Sequence, residues 1–132
     1  MSLPLHIEHE LRVVASTDAA GTQTPLNRDE AVAFDSYRNG GSYLYTLAAN
    51  ATNASLPMLG VTEGKLLFLE LEAGETITVR LNNVNNTAFT LKANPSGIGV
   101  GRFFLETASL TAVYLTSTVA HTIRVWVGVF GD

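Results

Sequence analysis

The sequence contains no cysteine. Disulfide bonds and thiolate nucleophiles are therefore excluded, and folding has to rest on packing. A chain of 132 residues suffices for one core, because a domain near this size buries roughly two-thirds of the surface of its unfolded chain. We expect one domain over residues 1–132, with residues 1–40 as a candidate extended arm plus loop.

Long apolar runs are also missing. The first residues, MSLPLHIEHELRVV, lack the basic start and unbroken apolar stretch of a signal peptide, and no run of about 18 uncharged apolar residues occurs. We therefore expect synthesis in the cytoplasm and no membrane partner. The two lysines and six arginines are scattered and the net charge is -4, so no basic patch predicts a nucleic-acid partner.

Charge itself is scarce. Charged residues make up 15% of the chain, against about 25% in ordinary soluble domains. Residues 39–62 contain no charged side chain, and residues 107–131 contain only Arg124. Interface cores are depleted of charge in this way, so both segments are candidate contact surfaces. The alternative is that threonine, serine and asparagine are enough to solvate these segments.

Helical periodicity is absent as well, because no window carries an apolar stripe at i, i+3, i+4 and i+7. At the start of the chain, apolar residues alternate with polar ones from Leu3 to Val13, which is typical of a half-buried strand. Residues 15–31 are rich in turn formers and predict a long loop, and residues 31–37 fit either a strand or one helical turn.

The remaining segments predict strands separated by turns. Residues 38–41 (RNGG) indicate a turn, 42–49 a strand and 50–60 a loop. Six β-rich segments then follow: KLLFLELE, ETITVRLN, NTAFTLK, RFFLET, LTAVYLTS and HTIRVWVGVF. The predicted fold is all-β, an antiparallel sandwich or barrel of jelly-roll type with about eight strands and little or no helix.

The first two of these segments favour a hairpin with a three-residue loop, Ala73 to Glu75. This loop pairs Leu71 with Ile77 and aligns one apolar face, and Gly74 can take the left-handed position that the loop needs. If the two strands lie in opposite sheets, the pairing is lost, although the odd residues of both strands still point to the core.

Local clusters of catalytic or metal-binding residues are not evident. On a strand, His6 and His9 lie on opposite faces and cannot chelate one metal together, and His121 is distant in sequence. Glu70 and Glu72 share a strand face, as Glu8 and Glu10 do, which is ordinary for a solvated face although glycoside hydrolysis uses paired carboxylates. We therefore expect no catalytic, metal or cofactor-binding residues and no enzyme activity.

Two further features have weak functional interpretations. The glycines of residues 97–101 precede a predicted strand, whereas phosphate-binding loops precede a helix. Trp126 shares a strand face with Arg124 and Gly128, where it either faces out to contact a sugar or a partner or is buried in a strand covered on both sides. The sequons at Asn50, Asn53 and Asn85 are interpreted as loop composition.

The second half of the chain resembles small β-sandwich virion proteins of tailed bacteriophages. The resemblance covers roughly residues 61–132 and lies in an ITVRLN strand, a glycine loop, an FFL strand, an LTAVYL strand and a closing VWVGV strand. It implies a virion location and a role in capsid decoration, or in the tail or connector, in many symmetric copies. The implied partners are the chain itself, as a homo-oligomer with a trimer as the first expectation, and the major capsid protein.

Another hypothesis comes from a different functional class. A carbohydrate-binding or receptor-binding module would require the four aromatic residues Tyr43, Tyr45, Tyr114 and Trp126 to line one exposed groove. In an assembly protein, by contrast, the N-terminal stretch could act as an arm that adds a strand to a neighbour's sheet.

Overall fold

The structure, a computed structural model, describes residues 5–9, 14–16, 23–25, 33–93 and 101–132, with most side chains from Tyr37 onward. Every regular element in these ranges is a β-strand, which confirms the all-β class. This described part contains no helix that could span a membrane. The strands are β1 (Leu5–His9), β2 (Val14–Ser16), β3 (Gln23–Pro25), β4 (Ala33–Tyr37), β5 (Asn39–Leu47), β6 (Ala54–Ser55), β7 (Gly64–Leu71), β8 (Thr76–Leu81), β9 (Phe89–Lys92), β10 (Gly101–Leu110), β11 (Val113–Thr116) and β12 (Ile123–Gly131).

The chain divides into two compact units, the first of which is Met1–Tyr37. In this unit β1 pairs antiparallel with β4, and β2 pairs antiparallel with β3. The predicted N-terminal strand is therefore present over residues 5–9, while its positions 3, 4 and 10–13 lie outside the described residues. For residues 31–37, for which a strand and a helical turn were alternatives, the described positions 33–37 form the strand β4. The prediction of a continuous loop over residues 15–31 is wrong where β3 forms, because its residues pair with β2.

The described residues of the second unit, Arg38–Asp132, form an antiparallel sandwich of eight strands. One sheet has the strand order β5-β12-β7-β10 and the other has the order β6-β11-β8-β9. The pairing is nested, since the first strand pairs with the last, the second with the seventh, the third with the sixth and the fourth with the fifth. The six β-rich segments predicted from residue 65 onward each overlap one strand in turn, β7 to β12, with ends that differ by a few residues.

The core lies between the two sheets and is formed by the odd-numbered residues of most of the strands. Burial of these aliphatic side chains supplies about 25 cal/mol for each Å² of apolar surface removed from water, so the alternating pattern selects this register. The largest fully buried side chains include Leu47, Leu67, Leu69, Leu71, Ile77, Val79, Val113, Leu115, Ile123, Val125 and Val127.

The predicted hairpin between β7 and β8 is wrong, because the two strands lie in different sheets. β7 pairs with β12 and β10, and β8 pairs with β11 and β9. Both strands still bury their odd residues, as expected for the alternative of opposite sheets. Gly74 has a φ of 84° and occupies a turn closed by the amide of Glu75, which donates to the carbonyl of Glu72 at 3.2 Å. The odd residues of both strands reach the core from opposite sheets, so alternation alone does not distinguish this connection from a hairpin.

The turn predicted at residues 38–41 is also wrong, since β5 begins at Asn39. Gly40 has a φ of 128°, and a Cβ placed on it would lie 2.1 Å from the carbonyl oxygen of Val129. Glycine is needed there for a close approach of β5 to β12. In the predicted loop 50–60, β6 forms a short strand, while Asn50 and Asn53 have φ values of 54° and 48°. Asparagine tolerates this left-handed conformation better than most residues, which accounts for both sequon positions.

Candidate interaction surface

The outer face of the β5-β12-β7-β10 sheet carries an apolar band, formed by Leu44, Phe68, Phe104 and Trp126. These residues are even-numbered, and the odd residues of the same strands fill the core, so the pleat turns the band away from the core. Trp126, Phe104 and Leu44 are 52%, 44% and 41% exposed. Exposed apolar patches of this kind mark contact surfaces more often than isolated apolar residues do.

The band runs across all four strands of the sheet. Trp126 on the central strand β12 lies directly opposite Leu44 on β5, and Phe68 on β7 lies opposite Phe104 on β10. Gly128 is the partner of Phe68 in β12, and a Cβ on Gly128 would stand 3.5 Å from the Cβ of Phe68. The ring of Phe130 lies equally close to this position, at 3.5 Å, so a Cβ at Gly128 would be in ordinary van der Waals contact with both phenylalanines.

Two ion pairs flank the band. The Nε atom of Arg102 lies 3.0 Å from Oε2 of Glu70, and an Nη atom of Arg124 lies 2.6 Å from Oε1 of Glu72. Both arginines are more than 60% exposed, so each pair contributes at most about 1 kcal/mol. Glu70 and Glu72 are thus each paired with an arginine from a neighbouring strand, and the face carries no net charge from these four groups. The side chains of Glu8 and Glu10 lie outside the described ones.

The outer face of the other sheet is polar and rich in threonine. Thr78 on β8 lies opposite Thr116 on β11 and Thr90 on β9, which forms a row of hydroxyls across three strands. Beside this row, Nη1 of Arg80 donates to Oδ1 of Asn53 at 3.2 Å, and the amide of Asn53 donates to the hydroxyl of Thr116 at 2.9 Å. The two outer faces of the sandwich therefore differ, one apolar and one polar.

The four aromatic residues considered for a sugar-binding groove do not lie together. Trp126 is on the outer face of the first sheet, and Tyr114, opposite Arg80, is on the outer face of the second. Tyr43 and Tyr45 pack against the core from the inner face of β5. These four positions form no common groove, so they give no support to that arrangement.

Tyr43 links the edge strand β5 to the segment that follows β6. Its hydroxyl donates to the carbonyl of Pro57 at 2.6 Å. Burial raises the pKa of Tyr43 to about 12, and the neighbouring Tyr45 phenol adds to the rise. The phenol is therefore held neutral as a hydrogen-bond donor, which ties the segment after β6 to the inner side of the edge strand.

Of the three histidine side chains, that of His121 is among the described ones. Nε2 of His121 lies 2.8 Å from Oε1 of Glu75, across the sandwich end where their loops meet. His6 and His9 both belong to β1, but their side chains lie outside the described ones. Among the described residues no group of three His, Asp or Glu side chains is placed to hold a metal ion.

The glycine-rich segment before β10 lies outside the described residues over positions 94–100. The segment is followed by the strand β10, as predicted.

The two charge-poor segments differ in their structural setting. Residues 107–131 include β11 and β12, and β12 lies between β5 and β7 with Ile123, Val125, Val127 and Val129 in the core. Burial within the fold thus explains the lack of charge over much of this segment. Residues 39–62 include β5, whose Ser42, Leu44 and Thr46 are exposed. Here charge is missing from a solvent-facing surface.

Sequence reasoning identified Trp126 as a candidate but missed the rest of the band. The signal was available, because KLLFLELE and RFFLET carry large apolar residues at consecutive positions, which places some on each face of a strand. Local sequence patterns do not reveal the strand order, which brings Leu44, Phe68 and Phe104 beside Trp126.

No protein-family model matches the chain, and no curated protein matches it significantly in sequence.

Proposed function

We propose that the protein is a non-enzymatic structural component of tailed-bacteriophage virions, of the capsid decoration type, acting as a symmetric homo-oligomer. The observation that carries the proposal is the nested pairing of the eight strands β5 to β12. This pairing, with connections that cross between the sheets, supports a jelly-roll arrangement of the sandwich. Viral capsid domains use that architecture.

Because one fold serves many functions, the proposal also needs evidence from the exposed surface of the sandwich. The apolar band extends over all four strands of one sheet and is partly exposed, which suits contact with a protein surface. The proposal also agrees with the role expected from the strand motifs of residues 61–132. We propose the major capsid protein and sister copies as partners, with neither nucleic acid nor membrane among them.

A second candidate is a receptor-binding module in the tail or connector. Lectin domains also use jelly rolls, and the exposed indole of Trp126 is suited to stacking on a sugar ring. This candidate needs only Trp126 and its neighbours, and it does not depend on the four-aromatic groove.

One experiment separates the two. Purified protein is mixed with phage particles assembled without it and sedimented, and the same protein is applied to a glycan array. Decoration predicts saturable co-sedimentation at a fixed ratio to the capsid protein and no glycan signal. Glycan binding that is lost in Trp126→Ala, together with no particle binding, would replace the decoration function with the receptor-binding one.

A further inference from the structure

The sandwich has four sheet edges, formed by β5 and β10 in one sheet and by β6 and β9 in the other. Proteins protect such edges from unwanted pairing by keeping them short, by charged side chains and by irregular register. β6 has two residues, and β9 has four and ends in Lys92. β10 carries Arg102 and Glu106 and shifts register after Glu106. Three of the four edges therefore carry a protective feature.

β5 has none of these features. It is nine residues long, contains neither a charge nor a proline, and pairs with β12 in one uninterrupted register from Leu47 to Asn39. The segment after β6 approaches its core side, where Tyr43 donates to Pro57. Within the described part of the chain, however, no backbone hydrogen bond joins that segment to β5, and no strand pairs with its outer edge.

We propose that β5 pairs antiparallel with β5 of a second copy about a two-fold axis, which joins the two four-stranded sheets into one of eight strands. The proposal rests on the homo-oligomer of the proposed function and names its interface. A second copy is the favoured occupant because an uncharged strand meets its own copy without opposing like charges. A two-fold pair then replaces the trimer expected from the sequence.

The apolar band fixes the register. Leu44 is the apolar outward residue of β5, and it lies beside Trp126. In this register the two-fold axis passes between Leu44 and Leu44 of the second copy, so the two leucines face each other. The apolar bands of the two copies then form one continuous surface. The same register sets Ser42 against Thr46 of the other copy, a small polar pair that fits a partly solvated face.

The test uses sedimentation equilibrium of the full chain across a range of concentrations. The wild-type chain is expected to form a dimer. Leu44→Lys is expected to weaken it by about tenfold or more, because two like charges would face each other across the axis. Leu44→Glu is expected to weaken it similarly, and an equimolar mixture of the two variants is expected to recover dimer. Thr90→Lys, which adds the same charge to the β9 edge, is the matched control and is expected to leave association unchanged.

Circular dichroism establishes that each variant is folded, and the double variant Ser42→Lys/Thr46→Lys, which sets two lysines opposite each other in this register, replaces Leu44→Lys if that variant unfolds. A wild-type chain that is monomeric at all concentrations would overturn both the β5 pairing and the homo-oligomer of the proposed function. An oligomer unaffected by charge at Leu44, or by the double variant in its place, would overturn the β5 pairing alone. Loss of dimer without recovery in the mixture would overturn the two-fold register.

Discussion

Leu44 and Trp126 are cross-strand partners, and both stand on the solvent side of the sheet. Leu44 lies on the edge strand β5, whereas Trp126 lies on the central strand β12. Whatever pairs with β5 therefore comes within one strand of the only tryptophan of the chain. Trp126 is a natural reporter for this face.

We expect Trp126 fluorescence to be that of a largely hydrated indole and to be quenched efficiently by acrylamide, because the side chain is 52% exposed. Dimer formation through β5 should reduce the quenching, and Leu44→Lys should restore it. Quenching as weak as that of a buried indole in the monomeric variant would contradict the outward placement of Trp126.

Two valines test the placement of the core. Val127 is 1% exposed between the sheets, whereas Val84 is 40% exposed. Val127→Ala should lower the free energy of unfolding by about 2–3 kcal/mol, since it removes buried methyl groups and leaves a cavity. Val84→Ala should change it by less than about 0.5 kcal/mol. Urea denaturation measures both, and equal losses would contradict the assigned register of β12.

Two glycines of β12 test the backbone packing. A Cβ on Gly131 would lie 2.2 Å from the carbonyl oxygen of Glu63 and 2.8 Å from the Cα of Gly64. Because neither backbone atom can rotate away, Gly131→Ala should destabilise the fold by about 1–3 kcal/mol or more. At Gly128 the nearest atoms are 3.5 Å away, which is ordinary contact, so Gly128→Ala should be nearly neutral. Thermal unfolding of the two variants compares them directly, and similar melting temperatures would be the contrary result.

Tyr43 gives the fold a dependence on alkaline pH. Its folded-state pKa is raised to about 12 by burial and by Tyr45, above the ordinary value near 10. Between these values the folded chain holds the proton more tightly than the unfolded chain, so stability falls as pH rises through this window. Near-ultraviolet absorbance should show a late phenolate titration that disappears in Tyr43→Phe. A titration of all four tyrosines near pH 10 in the folded state would contradict the burial of Tyr43.

Much of the fold could be predicted from alternation, because burying one face fixes which residues point inward. The six segments from residue 65 onward, the inward odd residues of β7 and β8 and the left-handed Gly74 follow from local pattern alone. The partner of each strand does not, since two apolar faces match equally well within one sheet or across the core. The β7–β8 hairpin was wrongly predicted for this reason.

The candidate surface could be predicted only in part for a related reason. Glycine usually marks a turn, yet Gly40 lies within β5, where a non-local approach to Val129 requires it. Likewise the two charge-poor segments look alike in the sequence. In the sheet, however, β12 is hydrogen-bonded to a strand on each edge, whereas β5 is hydrogen-bonded to one described strand, β12. Pairing with residues distant in the chain decides which of these charge-poor strands lies at a sheet edge.

Quantitative mass spectrometry of purified phage particles tests the proposed function most directly. We expect this polypeptide to be present in a fixed ratio to the major capsid protein, in a copy number set by the symmetry of the shell, and to remain after a salt wash. Its absence from purified particles, with the polypeptide found only in the soluble fraction of infected cells, would contradict the account.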